Sequence, residues 1–390
     1  MSALDHILST ADMRLAASRR LPRSVFEFID GGAEDELTLG ANRHDFERLQ
    51  IVPRILADVS RPDIATRLMD QDIAAPFVIA PMGSCVLARP GADLAIARAA
   101  ASMGIPYTLS TMSTTRLEDV ARAVDGPLWF QLYVLRDKAF TYGLIDRARA
   151  AGYSTLVVTT DLQAAGKRER DLRNGISIPL RPSLRHVWEG ITHPRWAWGV
   201  VRGGAPQFEN VRGLMGDADA GLTVAYRVAR NLDAAFAWTD LARIREYWPG
   251  KLVVKGFLHP DDALRLADLG VDGLWLSNHG GRQLDGSTSS IGALAMVKAA
   301  FEGRPAPALM LDSGVRRGVD ALKAIGLGAS AVAFGRSALF GAAVAGEEGV
   351  KRVLGILVDE LSRSMQLAGV PAVRGAALTL VDAYRDLVRT

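Results

Sequence analysis

Eight short apolar runs, separated by alanine-rich stretches of helical character, constrain this chain more than anything else in its sequence. They are Phe77-Val78-Ile79-Ala80, Tyr107-Thr108-Leu109, Leu128 to Tyr133, Thr155 to Thr160, Leu252 to Lys255, Gly273 to Ser277, Ala308 to Asp312 and Ala331 to Gly335. Each is apolar throughout rather than alternating, the pattern of a parallel strand covered on both faces. All but one of the gaps between them are on the order of 20–35 residues, the length of one strand-plus-helix unit. Eight such units close into a (β/α)8 barrel, an α/β fold. One gap breaks the rhythm: the fourth and fifth runs lie roughly ninety residues apart, too far for a structureless loop, so an insert is expected there.

The whole chain, 1–390, then reads as one domain: a helical extension over 1–75, the barrel over 76–340 and C-terminal helices over 341–390. In the extension, Ser24 to Ile29 reads as a helix that Gly31-Gly32 stop in the manner of a C-terminal cap. The insert, about 174–222, holds Trp188, Trp196 and Trp198 beside Arg181, Arg185, His186, His193, Arg195 and Arg202, with Glu189 the only acid between Arg181 and Arg202. Indole rings favour the lipid–water interface and arginines favour anionic headgroups. A membrane or partner surface over 181–202 is therefore expected. The competing reading is a lid or oligomer contact that buries the tryptophans.

Bulk composition narrows the class. With 49% hydrophobic and 23% charged residues the chain can bury a large core. A net charge of +3 does not argue for nucleic acid; an acidic substrate or an anionic surface suits it as well. The single cysteine, Cys85, rules out an internal disulfide framework and a cysteine-built zinc site, and no metal site is expected. One thiol fits a reducing compartment, and a cytoplasmic location is expected. Residues Met1 to Arg20 include two acids and no long apolar core, unlike a signal peptide, and no apolar window is long enough to span a bilayer.

In such a barrel the chemistry sits where strands end. The polar residues closing the runs are Gln131 and Tyr133; Thr159, Thr160 and Asp161, followed by Arg168; Lys255; Ser277-Asn278-His279-Gly280-Gly281-Arg282-Gln283-Leu284-Asp285; Asp312-Ser313-Gly314-Val315-Arg316-Arg317-Gly318; and Gly335-Arg336. Glycines in the last two loops let backbone approach an anion that Arg316 and Arg336 can grip, which points to phosphate. Lys255 reads either as a Schiff-base nucleophile or as a fixed positive charge beside an electron-accepting ring. Asp161 has a plain reading as a helix cap after the fourth run. His279, alone among the six histidines in closing a run beside glycines and an arginine, reads as a general base. Arg282 either pairs with Asp285 or, with Arg168, holds a carboxylate.

Ser277 to Asp285 resembles the signature of the FMN-dependent 2-hydroxy-acid oxidoreductases. So do Gly31-Gly32-Ala33-Glu34-Asp35, Ala80-Pro81-Met82-Gly83, Phe130-Gln131-Leu132-Tyr133, Val254-Lys255-Gly256 and Asp312 to Gly318, so the resemblance runs over nearly the whole chain. It implies FMN as cofactor and oxidation of a small 2-hydroxy acid. By the same resemblance His279 takes a proton from the substrate, Asp161 orients it, Arg282 and Arg168 hold the carboxylate, and Tyr133 bonds the substrate hydroxyl. Lys255 would face the flavin N1–C2 edge. Ser110, Gln131, Thr159 and Ser277 would lie at the ring, with Pro81, Met82 and Gly83 against it. Asp312, Gly314, Arg316, Gly335 and Arg336 would hold the ribityl phosphate. A homotetramer is implied as well.

The sequence also departs from the family. Phe28 stands where members carry a tyrosine whose hydroxyl helps bind the substrate carboxylate. Met112 replaces the tryptophan of glycolate oxidases, and Gly83 stands where oxidases tend to have alanine. The last two imply a dehydrogenase rather than an oxygen-using oxidase. Thr192 to Trp198 resembles the membrane-docking segment of bacterial members, which implies a quinone acceptor and a peripheral seat on the inner membrane. A soluble peroxide-forming oxidase, a Schiff-base lyase and an inactive flavin carrier are the alternatives.

Overall fold

The computed structural model describes residues 4–175, 183–203, 207–212 and 231–382; Arg181 and the expected end of the insert at Leu222 lie outside these. Three helices open the chain: α1 (Thr10–Arg20), α2 (Arg23–Asp30) and α3 (Leu37–Arg48). Ser9 caps α1 by accepting from the Asp12 N–H. Gly31 ends α2, but not as expected. Its φ is −72°, so no left-handed cap forms. Its glycine character answers to crowding instead, since a Cβ would lie 2.8 Å from the Glu27 carbonyl oxygen, and one on Gly32 would lie 2.7 Å from that of Gly281.

The extension is not helical to residue 75. Strand β1 (Leu49–Val52) pairs antiparallel with β12 (Thr379–Asp382), so the C-terminal segment likewise holds a strand beside its helices. A hairpin follows, β2 (Thr66–Leu68) and β3 (Gln71–Ile73). Its turn residues Met69 and Asp70 both have positive φ, 47° and 67°. Neither belongs to the Asn-Gly or Asp-Gly pairs that normally announce such a turn.

All eight expected strands form: β4 (Phe77–Ile79), β5 (Tyr107–Ser110), β6 (Leu128–Leu132), β7 (Thr155–Thr159), β8 (Lys251–Phe257), β9 (Gly273–Leu276), β10 (Ala308–Leu311) and β11 (Ala331–Phe334). They are parallel, hydrogen-bonded in chain order, and β11 returns to β4 to close the barrel. The helices between and after them are α4 (Ala92–Ser102), α5 (Leu117–Ala123), α6 (Lys138–Ala150), α7 (Glu169–Arg173), α8 (Leu184–Thr192), α9 (Pro194–Gly203), α10 (Trp238–Tyr247), α11 (Pro260–Asp268), α12 (Ser290–Ala300), α13 (Gly318–Gly326), α14 (Arg336–Ala345) and α15 (Glu347–Ala368). Among the described residues the insert contributes α8 and α9, and α7 lies just before it.

Two-sided burial explains the continuous apolar runs. Phe130, Val158, Val254, Leu276 and Phe334 pack outward against helices. Val78, Trp129, Val157, Val253, Trp275 and Met310 fill the lumen with Leu68 and Ile73 of the hairpin, which plugs the N-terminal end. Trp129 and Trp275 meet edge to face at 6.4 Å. The packed lower lumen leaves only the C-terminal mouth for chemistry.

Candidate active site

Strand alternation builds the floor of the mouth. Along β6, Trp129 points into the lumen and Phe130 out to the helices, so Gln131 points in again. The same count puts Ala80, Ser110, Thr159, Lys255, Ser277, Asp312 and Gly335 into one layer, one residue from each strand or its first loop position. Below this layer the lumen is filled mainly by apolar side chains; here it turns polar.

The layer is knitted on one side and open on the other. Lys255 Nζ lies 3.0 Å from Asp312 Oδ2 and donates to Ser277 Oγ at 2.7 Å. Ser277 Oγ and Ser313 Oγ both donate to Asp312 Oδ1 at 2.7 Å. An amine held in an ion pair is a fixed positive charge rather than a free nucleophile, which removes the Schiff-base reading. Opposite, Ser110 Oγ donates to Gln131 Oε1 at 3.0 Å, while Gln131 Nε2 and Thr159 Oγ1 are buried without a hydrogen-bond partner. Orphaned buried groups are costly, so these two polar atoms need a partner from outside the chain.

His279 stands above this floor with a backbone φ of 58°, in the left-handed region that a non-glycine residue rarely occupies. Its Nδ1 lies 3.0 Å from Asp161 Oδ1. Asp161 is thus no helix cap. Burial disfavours its charge, but His279, by attraction and hydrogen bond, and Lys255 outweigh that and hold the carboxyl below its usual range. With the carboxylate accepting at Nδ1–H, Nε2 is left as the basic nitrogen.

Three more predicted residues gather around the pair. Burial first, then Asp161, pushes the Tyr133 phenol well up, against Arg168 and Arg282, so all four groups share one field. Burial, then Arg168 and Arg336, pulls the Arg282 guanidinium well down. Arg282 does not pair with Asp285, because that carboxylate accepts from the Leu37 and Thr38 N–H groups at the start of α3. Instead Arg282 Nη1 donates to the carbonyls of Phe28 (2.8 Å) and Gly31 (2.9 Å), and its guanidinium carbon lies 5.3 Å from the Phe28 ring centre. Met112, Tyr133 and Leu162 pack against a small cluster of Leu135, Phe208, Val211 and Leu232. A Cβ on Gly83 would come within 2.8 Å of Met112 Cβ.

The loops after β10 and β11 hold the second anion-seeking group. Arg336 donates to the carbonyls of Ile29 (2.9 Å), Gly280 (3.0 Å) and Gly31 (2.8 Å). Burial, then Arg336 and Arg43, lowers Arg316 to about 9. Among the described residues neither arginine has a carboxylate within ion-pair distance; nearby Asp30 is taken by Arg14 through two bonds of 2.7 and 2.6 Å. Gly314 has φ 104°, and a Cβ there would lie 2.1 Å from the Asn42 carbonyl oxygen.

Sequence reading missed two features. The carbonyls of α2 that seat both arginines are anonymous in sequence. Asp171, buried on α7 with Oδ2 3.8 Å from Arg168 Nη1, was visible only as one acid in a charged stretch. Burial raises its pKa against the pull of Arg282 and Arg168.

Together, a polar floor with unpartnered donors, a buried lysine and two arginines free of carboxylates suit a planar polar ring with a phosphate tail. Comparison with known proteins agrees. Residues 17–382 match the family model of FMN-dependent dehydrogenases. An L-lactate dehydrogenase of Pseudomonas aeruginosa (strain UCBPP-PA14) is 40% identical over 94% of this chain and 96% of its own length. One of Pectobacterium atrosepticum is 41% identical over 94% and 95%. The crystal structure of the monotopic membrane protein (S)-mandelate dehydrogenase superposes with a TM-score of 0.91 at 40% identity, covering 96% of this chain and all of that one. With a match of that extent over a mouth of this chemistry, the chain belongs to the FMN-dependent dehydrogenases, and FMN is its cofactor.

Proposed function

We propose that the enzyme oxidises an (S)-2-hydroxy acid of lactate or mandelate type to the 2-keto acid, with His279 as base. The His279–Asp161 pair, set beside Arg282, Arg168 and Tyr133, carries this reading. Arg282 and Arg168 take the substrate carboxylate and fix its orientation. Tyr133 bonds the hydroxyl. His279 takes a proton from the substrate at Nε2, and Asp161 steadies the resulting imidazolium. Bound FMN supplies the two-electron sink. Lys255 offsets the negative charge that builds at the floor. Pro81, Met82, Gly83, Ser110, Gln131, Thr159 and Ser277 would face the ring, and Asp312, Gly314, Arg316, Gly335 and Arg336 the phosphate end.

The acceptor is a membrane quinone, and the enzyme sits as a homotetramer on the cytoplasmic face of the inner membrane. Support comes from the insert. Leu184, Val187, Trp188 and Ile191 form an i, i+3, i+4, i+7 stripe on α8, with Leu184 91% and Trp188 65% exposed. Trp198 and Val201 continue it on α9, while Trp196 turns inward and donates to the Leu87 carbonyl at 2.8 Å. Among the described residues no helix is long and apolar enough to cross a membrane. An in-plane seat fits such a face.

Anaerobic bleaching of the oxidised-flavin absorbance by glycolate, (S)-lactate, (S)-mandelate and longer 2-hydroxy acids tests the reaction. Rapid bleaching by one establishes it and names the substrate; bleaching by none overturns it. Rapid oxygen consumption during turnover would reinstate the oxidase.

A further inference from the structure

The short helix α2 is held at both ends by groups from distant parts of the chain. At its start, Ser24 Oγ donates to Glu189 Oε2 at 2.5 Å, and the Ser24 N–H lies 3.4 Å from Oε1. Glu189 is buried on the inward face of α8, opposite the exposed apolar stripe. A second tie runs parallel: Arg185 of α8 donates to Asn174 Oδ1 at 2.7 Å, and Asn174 Nδ2 donates to Glu27 Oε2 of α2 at 2.5 Å. At the other end, the carbonyls that the last turn of a helix leaves unpaired accept from Arg282 and Arg336. A displacement of α2 therefore moves the guanidinium that takes the substrate carboxylate.

A simple clip would not need a buried carboxylate. Apolar contact would hold α8 to α2 at a smaller desolvation cost. Short charged bonds differ in fixing one register between two helices. We propose that Ser24 and Glu189 are positioning residues that transmit the seating of α8 and α9 on a lipid surface to Arg282, so that the docked enzyme binds its substrate carboxylate more tightly than the free enzyme. The proposal rests on the membrane reading above. Seating α8 stills α2 and so removes part of the ordering cost that substrate binding otherwise carries.

The test measures KM and kcat of the holoenzyme with a soluble dye acceptor, which removes quinone delivery from the readout. Whichever of (S)-lactate and (S)-mandelate bleaches the flavin serves as substrate. Vesicles of phosphatidylglycerol and phosphatidylethanolamine in equal parts are added or withheld, and their binding is followed by co-sedimentation. Wild type is expected to co-sediment and to lower its KM about fivefold or more on docking, with kcat little changed. Ser24→Ala and Glu189→Gln are expected to co-sediment as wild type does while their KM responds to the vesicles much less than that of wild type, the parallel tie through Asn174 carrying what remains. Co-sedimentation of wild type without a KM change overturns the coupling and leaves the membrane reading intact. So does a KM response in Ser24→Ala equal to that of wild type. Failure of wild type to co-sediment overturns both.

Discussion

Replacing Lys255 by methionine separates its structural role from its electrostatic one. The ammonium lies 3.0 Å from Asp312 Oδ2, with the two side chains 5% and 9% exposed. Methionine nearly conserves the volume, so little packing is lost. What remains is a buried carboxylate whose Oδ1 still accepts from Ser277 and Ser313 and whose Oδ2 has lost its cation. Breaking a buried pair from one side costs about 3–5 kcal/mol. Removing both charges, Lys255→Met with Asp312→Asn, leaves no uncompensated ion and is expected to recover most of that loss. Urea denaturation at one fixed FMN concentration measures it, with equal slopes required before midpoints are compared. Turnover is expected not to follow stability: the double variant stays as slow as the single one, since both lack the positive charge at the floor. A single variant as stable as wild type, or a double variant no more stable than the single, would refute the reasoning.

Four shorter predictions accompany it. His279→Gln should lower kcat by about 10²–10⁴ while the flavin spectrum shows FMN still bound; a smaller loss would move the base elsewhere. Phe28→Tyr adds a hydroxyl beside Arg282, and one hydrogen bond to a charged group is worth roughly 1.5–3 kcal/mol, so KM for lactate or glycolate should fall about tenfold or more; an unchanged KM would count against it. Gly314→Ala drives a Cβ into the Asn42 carbonyl and should release FMN on dialysis, read by fluorescence of the filtrate. Burial opposes the charge of Asp30, but hydrogen bonds from Arg14 prevail and depress its pKa. Its stabilising share should therefore be complete above the unfolded value of about 3.9 and vanish as pH falls through the lower folded value. Chemical denaturation should then show wild type and Asp30→Asn converging at low pH, and a constant gap would refute the assignment.

The barrel and its polar mouth were legible because both rest on period. A continuous apolar run of strand length has few folds open to it, and eight in succession close. Gln131, Thr159, Lys255, Ser277 and Asp312 are legible as polar residues closing apolar runs; that they share the inward side follows from counting twos from Trp129 and Trp275, which the structure places in the lumen. The hairpin of β2 and β3 was not legible. Its turn places Met69 and Asp70 at positive φ, where residue preference gives no sign. The pairing of β1 with β12 joins segments more than three hundred residues apart, and neither has a pattern that names the other.

The site was legible in its side chains and silent in its backbone. His279, Asp161, Arg282 and Arg336 carry their chemistry in their names, but what seats the arginines does not. Both place N–H groups on the Gly31 carbonyl, and each also reaches a carbonyl at the end of α2. A carbonyl is present at every residue, so composition cannot mark these. Only their geometry can, since a helix that ends in extended backbone leaves its last oxygens facing outward. Sharing those oxygens ties Arg282, proposed above for the substrate carboxylate, to Arg336, proposed for the phosphate. A change that shifts α2 should accordingly weaken substrate and cofactor binding together, whereas loss of either arginine alone should weigh on one of them.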